Sequence, residues 1–145
     1  MLKQQVNQTA WAACDRDLTR QRKPPMKKLP PPGIIESEKD VRTWVRHLGL
    51  PAFWVEAAFG GTFGFPDCVL VPADGIPRFC ELKVGDLTDE RYHFELRPAQ
   101  RKVLRGMQDA GLLVRLIVGV RGTQSVAILE PVLTDLGWSV RASRL

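Results

Sequence analysis

The chain has 145 residues, of which 44% are hydrophobic, 26% charged and 8% aromatic, a composition typical of one globular domain of about 100 to 150 residues. No apolar run approaches the roughly 20 residues that cross a bilayer, and the first ten residues lack the apolar segment of a secretion signal, so we expect no membrane contact and a cytoplasmic location. The three cysteines form no CxxC motif, which argues against zinc or dithiol chemistry and indicates small buried apolar residues.

The first 30 residues hold the whole net charge of +5, because seven of them are basic and two are acidic. The rest of the chain carries equal numbers of both signs. The segment ends in the proline-rich run KPPMKKLPPPG, which favours an extended basic arm over residues 1–33. Such arms attract phosphate, so nucleic acid is the first partner to consider, with contacts from Lys23, Lys27 and Lys28. A solubilising or subunit-contacting tail explains the charge equally well.

From residue 34 onward the pattern predicts one α/β domain, residues 34–145. A capping-box pattern, SEKD, and apolar residues at helical spacing predict a first helix over residues 38–48. The run Pro51–Gly61 is rich in aromatic and β-branched residues and predicts a strand. Two further strands, Cys68–Pro72 and Arg78–Val84, are separated by a short turn and predict a hairpin.

The second half of the domain begins with a polar stretch, GDLTDERYHFEL, which we interpret as a loop. A second helix is predicted from Pro98, which suits a first helical position, to Gly111. The run Leu112–Val120 is apolar on both faces and predicts an interior strand. Ser125–Pro131 predicts a short last strand and Val132–Leu136 a final helical turn. This order of elements implies a mixed sheet flanked by helices.

Three polar residues lie on the hairpin, where a purely structural strand would prefer apolar ones. Asp67 opens the second strand, and Glu81 and Lys83 lie two residues apart on the third, so they project from the same face. Two converging carboxylates are hard oxygen ligands suited to Mg²⁺ or Mn²⁺, and the lysine can neutralise developing negative charge or hold an attacking water. These residue types together form a catalytic set suited to phosphodiester hydrolysis.

The length of the hairpin turn decides whether these residues meet. A two-residue turn at Asp74-Gly75 would place Asp67 opposite Leu82, on the wrong face from Glu81. A three-residue turn, Ala73–Gly75 with a left-handed glycine, places Asp67 opposite Glu81. We therefore predict an odd-length loop or a bulge.

The order of these motifs resembles that of a nuclease family. The stretch GTFGFPDCVLVPADGIPRFCELK, with Pro66-Asp67 and then Glu81-Leu82-Lys83, resembles the PD-(D/E)XK nuclease motif. The following LRPAQRKVLRGMQDAGLLVRLIVGV is similar to the helix and strand of VRR-NUC nucleases and archaeal-type Holliday junction resolvases, in which a glutamine opens the helix. The resemblance covers about residues 36–122 and implies a restriction-endonuclease-like core, with a central mixed β-sheet flanked by helices.

Carried over by position, the resemblance implies a metal site and a catalytic set. Mg²⁺ or Mn²⁺ would be bound by Asp67, Glu81 and the backbone carbonyl of Leu82. Lys83 would position the nucleophilic water, and Gln100 would orient the site or contact the phosphate. The resemblance departs from the family at the start of the second helix, where an arginine replaces the usual serine or threonine.

Two of the implied roles have structural alternatives. Gln100, at the third helical position, can simply cap the helix. Glu38 matches the acidic residue that the first helix supplies in many members, but it can also serve the helix dipole, and Glu36 is the substitute candidate. Basic residues on the outer face of the second helix form either a solvated surface or a contact to DNA phosphate: Arg101, Lys102 and Arg105.

These inferences together predict a metal-dependent deoxyribonuclease acting on a junction, flap or end in replication, recombination or repair, with a phage or mobile element as a compatible source. A homodimer is compatible with the small size, and RNA is an alternative substrate. The competing hypothesis is a nuclease-like fold used as a binding module, an inhibitor or adaptor without catalysis. Sequence-specific restriction is less favoured, because 145 residues leave little room for a recognition domain.

Overall fold

The computed structural model describes residues 32–55 and 64–145, so most of the predicted basic arm, with Lys23, Lys27 and Lys28, lies outside the described residues. The described ranges form two helices and seven strands. In chain order these are α1 (Glu38–His47), β1 (Ala52–Trp54), β2 (Cys68–Leu70), β3 (Arg78–Thr88), β4 (Arg91–His93), α2 (Pro98–Asp109), β5 (Leu113–Val120), β6 (Val126–Thr134) and β7 (Gly137–Ala142).

The strands form one mixed sheet in the order β1-β2-β3-β5-β6-β7, with β4 paired to the far end of β3. The central pair, β3 and β5, is parallel, and the other pairs are antiparallel. A parallel pair needs a crossover connection, and α2 lies within it. The predicted α/β class, with a mixed sheet flanked by helices and the apolar β5 in its interior, is confirmed.

The two helices pack on opposite faces of the sheet. α1 buries Val41 and Val45 against one face, where Leu82 and Ile117 lie. α2 buries Leu104 against the other, whose core comprises Leu96, Val114, Leu116, Val118 and Leu129. Because side chains alternate along β3, its even-numbered residues face α1 and its odd-numbered residues face α2.

The start of α1 follows the predicted capping pattern. The Asp40 carboxylate accepts hydrogen bonds from the backbone N–H of Glu36 and Ser37, both at 2.9 Å, and from the Ser37 hydroxyl. These bonds lower the pKa of Asp40. The helix stops before Gly49, whose φ of 67° is left-handed.

The prediction of a loop after Val84 is wrong, because most of this polar stretch forms a hairpin. β3 continues to Thr88 and pairs with β4 across a two-residue turn, Asp89-Glu90. Both turn residues have positive φ, 51° and 62°, as a type I′ turn requires. Sequences normally mark that turn with Asn or Gly, and the Asp-Glu pair carries no such signal.

The predicted helical turn over Val132–Leu136 is also wrong. Residues up to Thr134 extend β6, and the chain then turns at Asp135-Leu136 into β7, which the sequence analysis did not predict. The alternation in GWSVRA was the available signal, since Trp138 and Val140 pack on the α2 face of the sheet.

Two predicted strands are shorter than expected. The strand predicted over Pro51–Gly61 is β1, residues Ala52–Trp54, and residues 56–63 lie outside the described ranges. The strand predicted over Cys68–Pro72 ends at Leu70. Cys68 and Cys80 are buried and free, as predicted. Neither helix of the described ranges has the length and apolar character that crossing a bilayer requires.

Candidate active site

The register of the β2–β3 hairpin sets the geometry of the predicted site. Cys68 lies opposite Cys80, and the same register holds to the end of β2. Continued by one residue, it places Asp67 opposite Glu81. The connecting loop, residues 71–77, is longer than three residues but has the predicted odd length, and its glycine at position 75 has a left-handed φ of 73°. The predicted odd length of the loop, and the hairpin register that follows from it, are confirmed.

Backbone direction leaves one edge of β3 open beside Asp67. The carbonyl of Asp67 accepts from the N–H of Val55, so the Asp67 backbone points to β1 rather than to β3. In an antiparallel hairpin, the side chains of two opposite residues lie closest when these residues exchange no backbone hydrogen bonds. The Asp67 carboxylate instead accepts the Leu82 N–H at 2.8 Å. Because the N–H and C=O of a strand residue point to the same side, the Leu82 carbonyl faces this edge too.

A single glutamine links the polar side chains on the α2 face. Gln100 donates its amide N–H to Glu81 Oε1, and its own Oε1 accepts from Lys83 Nζ at 3.1 Å. Lys83 Nζ also lies 3.4 Å from Glu81 Oε1. The same Gln100 oxygen accepts the backbone N–H of Arg97 at 3.0 Å. Gln100 therefore both caps α2 and contacts the site, so the two alternatives are not exclusive.

Glu81 is a buried carboxyl group with a raised pKa. Glu81 is 3% exposed, and its Oε2 has no hydrogen-bond partner among the described residues. Burial first, and then the charge of Asp67, raise the pKa of Glu81 to about 7, while Lys83 acts in the opposite direction. Glu38 adds a smaller upward contribution. A cation at this position would relieve the repulsion between the carboxylates.

An open cleft beside the start of α1 reaches Asp67. Glu38 and Asp67 line this cleft, together with Leu82, around a volume of about 300 Å³. Glu38 is exposed and interacts electrostatically with Glu81. Glu36, the substitute candidate, is exposed and bonds through its backbone to the α1 cap. The geometry therefore favours Glu38 over Glu36.

The chemistry of these groups fits a divalent cation. Within the described ranges no cluster of three or more His, Cys, Asp or Glu side chains has metal-binding geometry. The candidate set needs only two carboxylates, Asp67 and Glu81, with the Leu82 carbonyl as a neutral oxygen. Glu81 Oε2 has no hydrogen-bond partner among the described residues, and the two carboxylates repel each other. A bound cation would satisfy the free oxygen and reduce this repulsion. Mg²⁺ suits such a partial set, because it retains several waters.

Gly64 positions the site, although its role was not predicted from the sequence. Gly64 has a left-handed φ of 89°, and a Cβ added there would lie 2.8 Å from the backbone nitrogen of Gln100 and within 2.6 Å of the Ala99 carbonyl carbon. The backbone that leads to Asp67 therefore packs directly on the first turn of α2. The glycine in GFPD was the signal, since close backbone approach requires a residue without a side chain.

The basic residues predicted on α2 lie apart from the carboxylates. All three line a second open cleft, of about 400 Å³, between α2 and the β6–β7 turn: Arg101, Lys102 and Arg105. Arg105 forms an ion pair with Asp135. Their contact with DNA stays a prediction.

The raised pKa of Glu81 predicts how the stability of the metal-free protein depends on pH. The folded pKa is about 7 against an ordinary 4.5, so the folded state binds more protons between these values, and stability falls as the pH rises through that window. The full shift corresponds to on the order of 3 kcal/mol. In EDTA, the melting temperature of the wild type should fall more steeply from about pH 5 to about pH 8 than that of Glu81→Gln. Identical slopes for the two proteins would contradict this assignment.

Comparison with known proteins finds five similar chains among solved structures. The chain is similar to the 1.6 Å structure of a Holliday junction resolvase, Hjc, from the hyperthermophilic archaeon Archaeoglobus fulgidus, with 14% identity and a TM-score of 0.49 over 72% of this chain and 83% of that one. This is one of the classes that the sequence resembles. No protein-family model matches the chain, and no curated protein matches it. At this identity and TM-score, the likeness alone assigns no activity to the chain.

Proposed function

We propose that the protein is a metal-dependent deoxyribonuclease that hydrolyses phosphodiester bonds at the open edge of β3. The observation that carries the proposal is the meeting of Asp67, Glu81 and Lys83 at the end of the β2–β3 hairpin, where the Leu82 carbonyl faces the same edge. Burying the Glu81 carboxylate and the Lys83 ammonium beside a half-buried Asp67 is costly for a purely structural sheet, because buried charges lose their hydration. A buried carboxylate with a raised pKa, Glu81, among other ionisable side chains is typical of a functional site.

The chain's own residues divide the work of the reaction. Asp67 and Glu81, with the Leu82 carbonyl, would hold Mg²⁺ or Mn²⁺, which supplies Lewis-acid polarisation of a phosphate and lowers the pKa of a water. The Lys83 ammonium neutralises charge that develops on the phosphate oxygens and holds the attacking water in place. Gln100 fixes the rotamers of Glu81 and Lys83 at once, since it bonds both.

We further propose that Glu38 contributes at the mouth of the cleft. Its carboxylate lies on the rim shared with Asp67 and is close enough to affect Glu81. From there it can bind a water of a hydrated cation, because Mg²⁺ retains several waters when carboxylates bind it. Glu38→Gln should therefore weaken activity less than the loss of Asp67.

Cleavage of a panel of labelled DNAs tests the function. The panel holds linear duplex, single strand, flap and four-way junction, because the sequence resemblance includes junction resolvases, and each is incubated with Mg²⁺, Mn²⁺ or EDTA. Metal-dependent cutting by the wild type, and none by Lys83→Ala, is the expected result. Binding of DNA without cutting under any condition would replace the nuclease by the competing hypothesis, a nuclease-like fold that only binds.

The preferred substrate in that panel decides the finer parts of the proposal. Preference for branched DNA would indicate recombination or replication-fork repair. Preference for ends would indicate an exonuclease. A labelled RNA strand included in the panel tests the remaining substrate class.

A further inference from the structure

The exposed side of α1 presents a basic stripe: Lys39, Arg42 and Arg46. Spacings of three and four residues place these side chains on one side of a helix. Val41 and Val45 lie on the adjoining side and are buried against the sheet. Lys39 and Arg46 are exposed and Arg42 is half-buried, so the stripe runs along the exposed flank of the helix.

The second feature of this stripe is its lack of ion pairs within the described part of the protein. None of the three side chains forms an ion pair there, whereas four other arginines do: Arg78, Arg105, Arg121 and Arg141. Of the two acidic residues of α1, Asp40 caps the helix, and Glu38 shares the cleft with Lys39 and Arg42 without forming an ion pair with them. The three cations are therefore available to a polyanion, which positive side chains attract.

One aromatic ring contacts both guanidinium groups of the stripe. The Arg42 guanidinium lies 4.7 Å from the centroid of the Trp54 ring, and that of Arg46 lies 5.4 Å from it. Stacking on a tryptophan restrains a guanidinium and leaves its donors free to bind an anion. These arginines therefore lose less conformational entropy on binding than free surface side chains would.

The stripe begins at the candidate active site. Lys39 and Arg42 line the cleft that also contains Asp67 and Leu82. Any phosphate that reaches Asp67 from the α1 side passes these two cations first. Over the seven residue-to-residue steps from Lys39 to Arg46 the helix rises roughly 10 Å, a length that matches about three phosphates of one strand.

We propose that the α1 stripe binds the sugar-phosphate backbone of the DNA strand next to the cleavage point and directs it into the cleft. The inference rests on the proposed function, because it assigns the substrate's path to that same site. It predicts contacts that are independent of base sequence, since phosphates carry none. An acidic protein surface is less favoured, because the stripe opens directly into a site built for phosphodiester chemistry.

The salt dependence of DNA binding tests the stripe. Full-length wild type and the variant K39Q/R42Q/R46Q are titrated, in EDTA, against a fluorescently labelled DNA duplex over a series of KCl concentrations. Each lost phosphate contact should reduce the slope of log K against log salt by about 0.9, so the triple variant should show a slope shallower by about 2 to 3. Arg141→Gln is the matched control, because Arg141 lies on β7 at the opposite edge of the sheet.

The outcomes separate the inference from the function on which it rests. A slope that is unchanged in the triple variant, or reduced equally by Arg141→Gln, would overturn the stripe while leaving cleavage by the wild type intact. If no DNA is cut or bound by the wild type, the nuclease proposal itself fails. Normal cleavage and DNA binding with selective loss of an acidic protein partner would likewise overturn the inference.

Discussion

Replacing Lys83 by Met is expected to lower the rate of DNA cleavage by about 100- to 1,000-fold, the usual cost of removing one preorganised charge from a reaction site. Lys83 is 9% exposed and contacts both Glu81 and Gln100. Methionine follows the aliphatic path of lysine and keeps the packing. Glu81 keeps its hydrogen bond from Gln100 and can take up a proton when its counter-charge is removed, so the fold should survive.

A control variant is needed to show that the loss of cleavage comes from the missing charge at Lys83. Cleavage under single-turnover conditions is measured for Lys83→Met and for Arg141→Met, which removes a cation at the far edge of the sheet. Circular dichroism and the melting temperature report folding. If Lys83→Met is folded and cuts DNA at the wild-type rate, Lys83 has no catalytic role.

Asp67→Asn tests metal binding separately from the role of Lys83. Asparagine retains an oxygen that can accept the Leu82 N–H, the bond that Asp67 makes at 2.8 Å. The negative charge is lost while this local structure is preserved. We expect weaker Mn²⁺ binding by calorimetry together with the loss of cleavage, whereas Lys83→Met should lose cleavage and still bind Mn²⁺.

The sequence predicted the parts of the fold that have strong local signals. α1 and α2 begin and end at capping residues or glycines, and the apolar run of β5 required a buried strand. β4 and β7 were missed because each follows a two-residue turn without Asn or Gly. The extent of both strands is set by pairing to a neighbour, and pairing is not visible in local propensity.

The candidate site was more predictable than the fold because covalent spacing controls it. The position of Asp67 relative to Glu81 follows from the parity of a single hairpin loop, which residue counting can address. The dual role of Gln100 could not be decided from sequence, because both interpretations use the same helical position. The basic stripe on α1 was also missed, since its significance depends on Trp54 and Asp67, which lie on other elements.

Gly64→Ala should lower the cleavage rate by about 100-fold, although Gly64 has no side chain and touches no substrate. A Cβ there would lie 2.8 Å from the Gln100 backbone nitrogen. The loop must then move away from α2 and carry Asp67 with it. A displacement of roughly 1 Å at a reacting group can cost about 100-fold in rate.

Gly75→Ala is the matched control, because it separates backbone strain from lost positioning. Gly75 also has a left-handed φ, 73°, but a Cβ there meets nothing within 4 Å. Both variants should therefore lose about 1 to 2 kcal/mol of stability from the left-handed backbone. Only Gly64→Ala should lose kcat and Mn²⁺ affinity, measured well below both melting temperatures. Equal activity in the two variants would show that the contact with α2 does not position Asp67, and that Gly64 serves the turn alone.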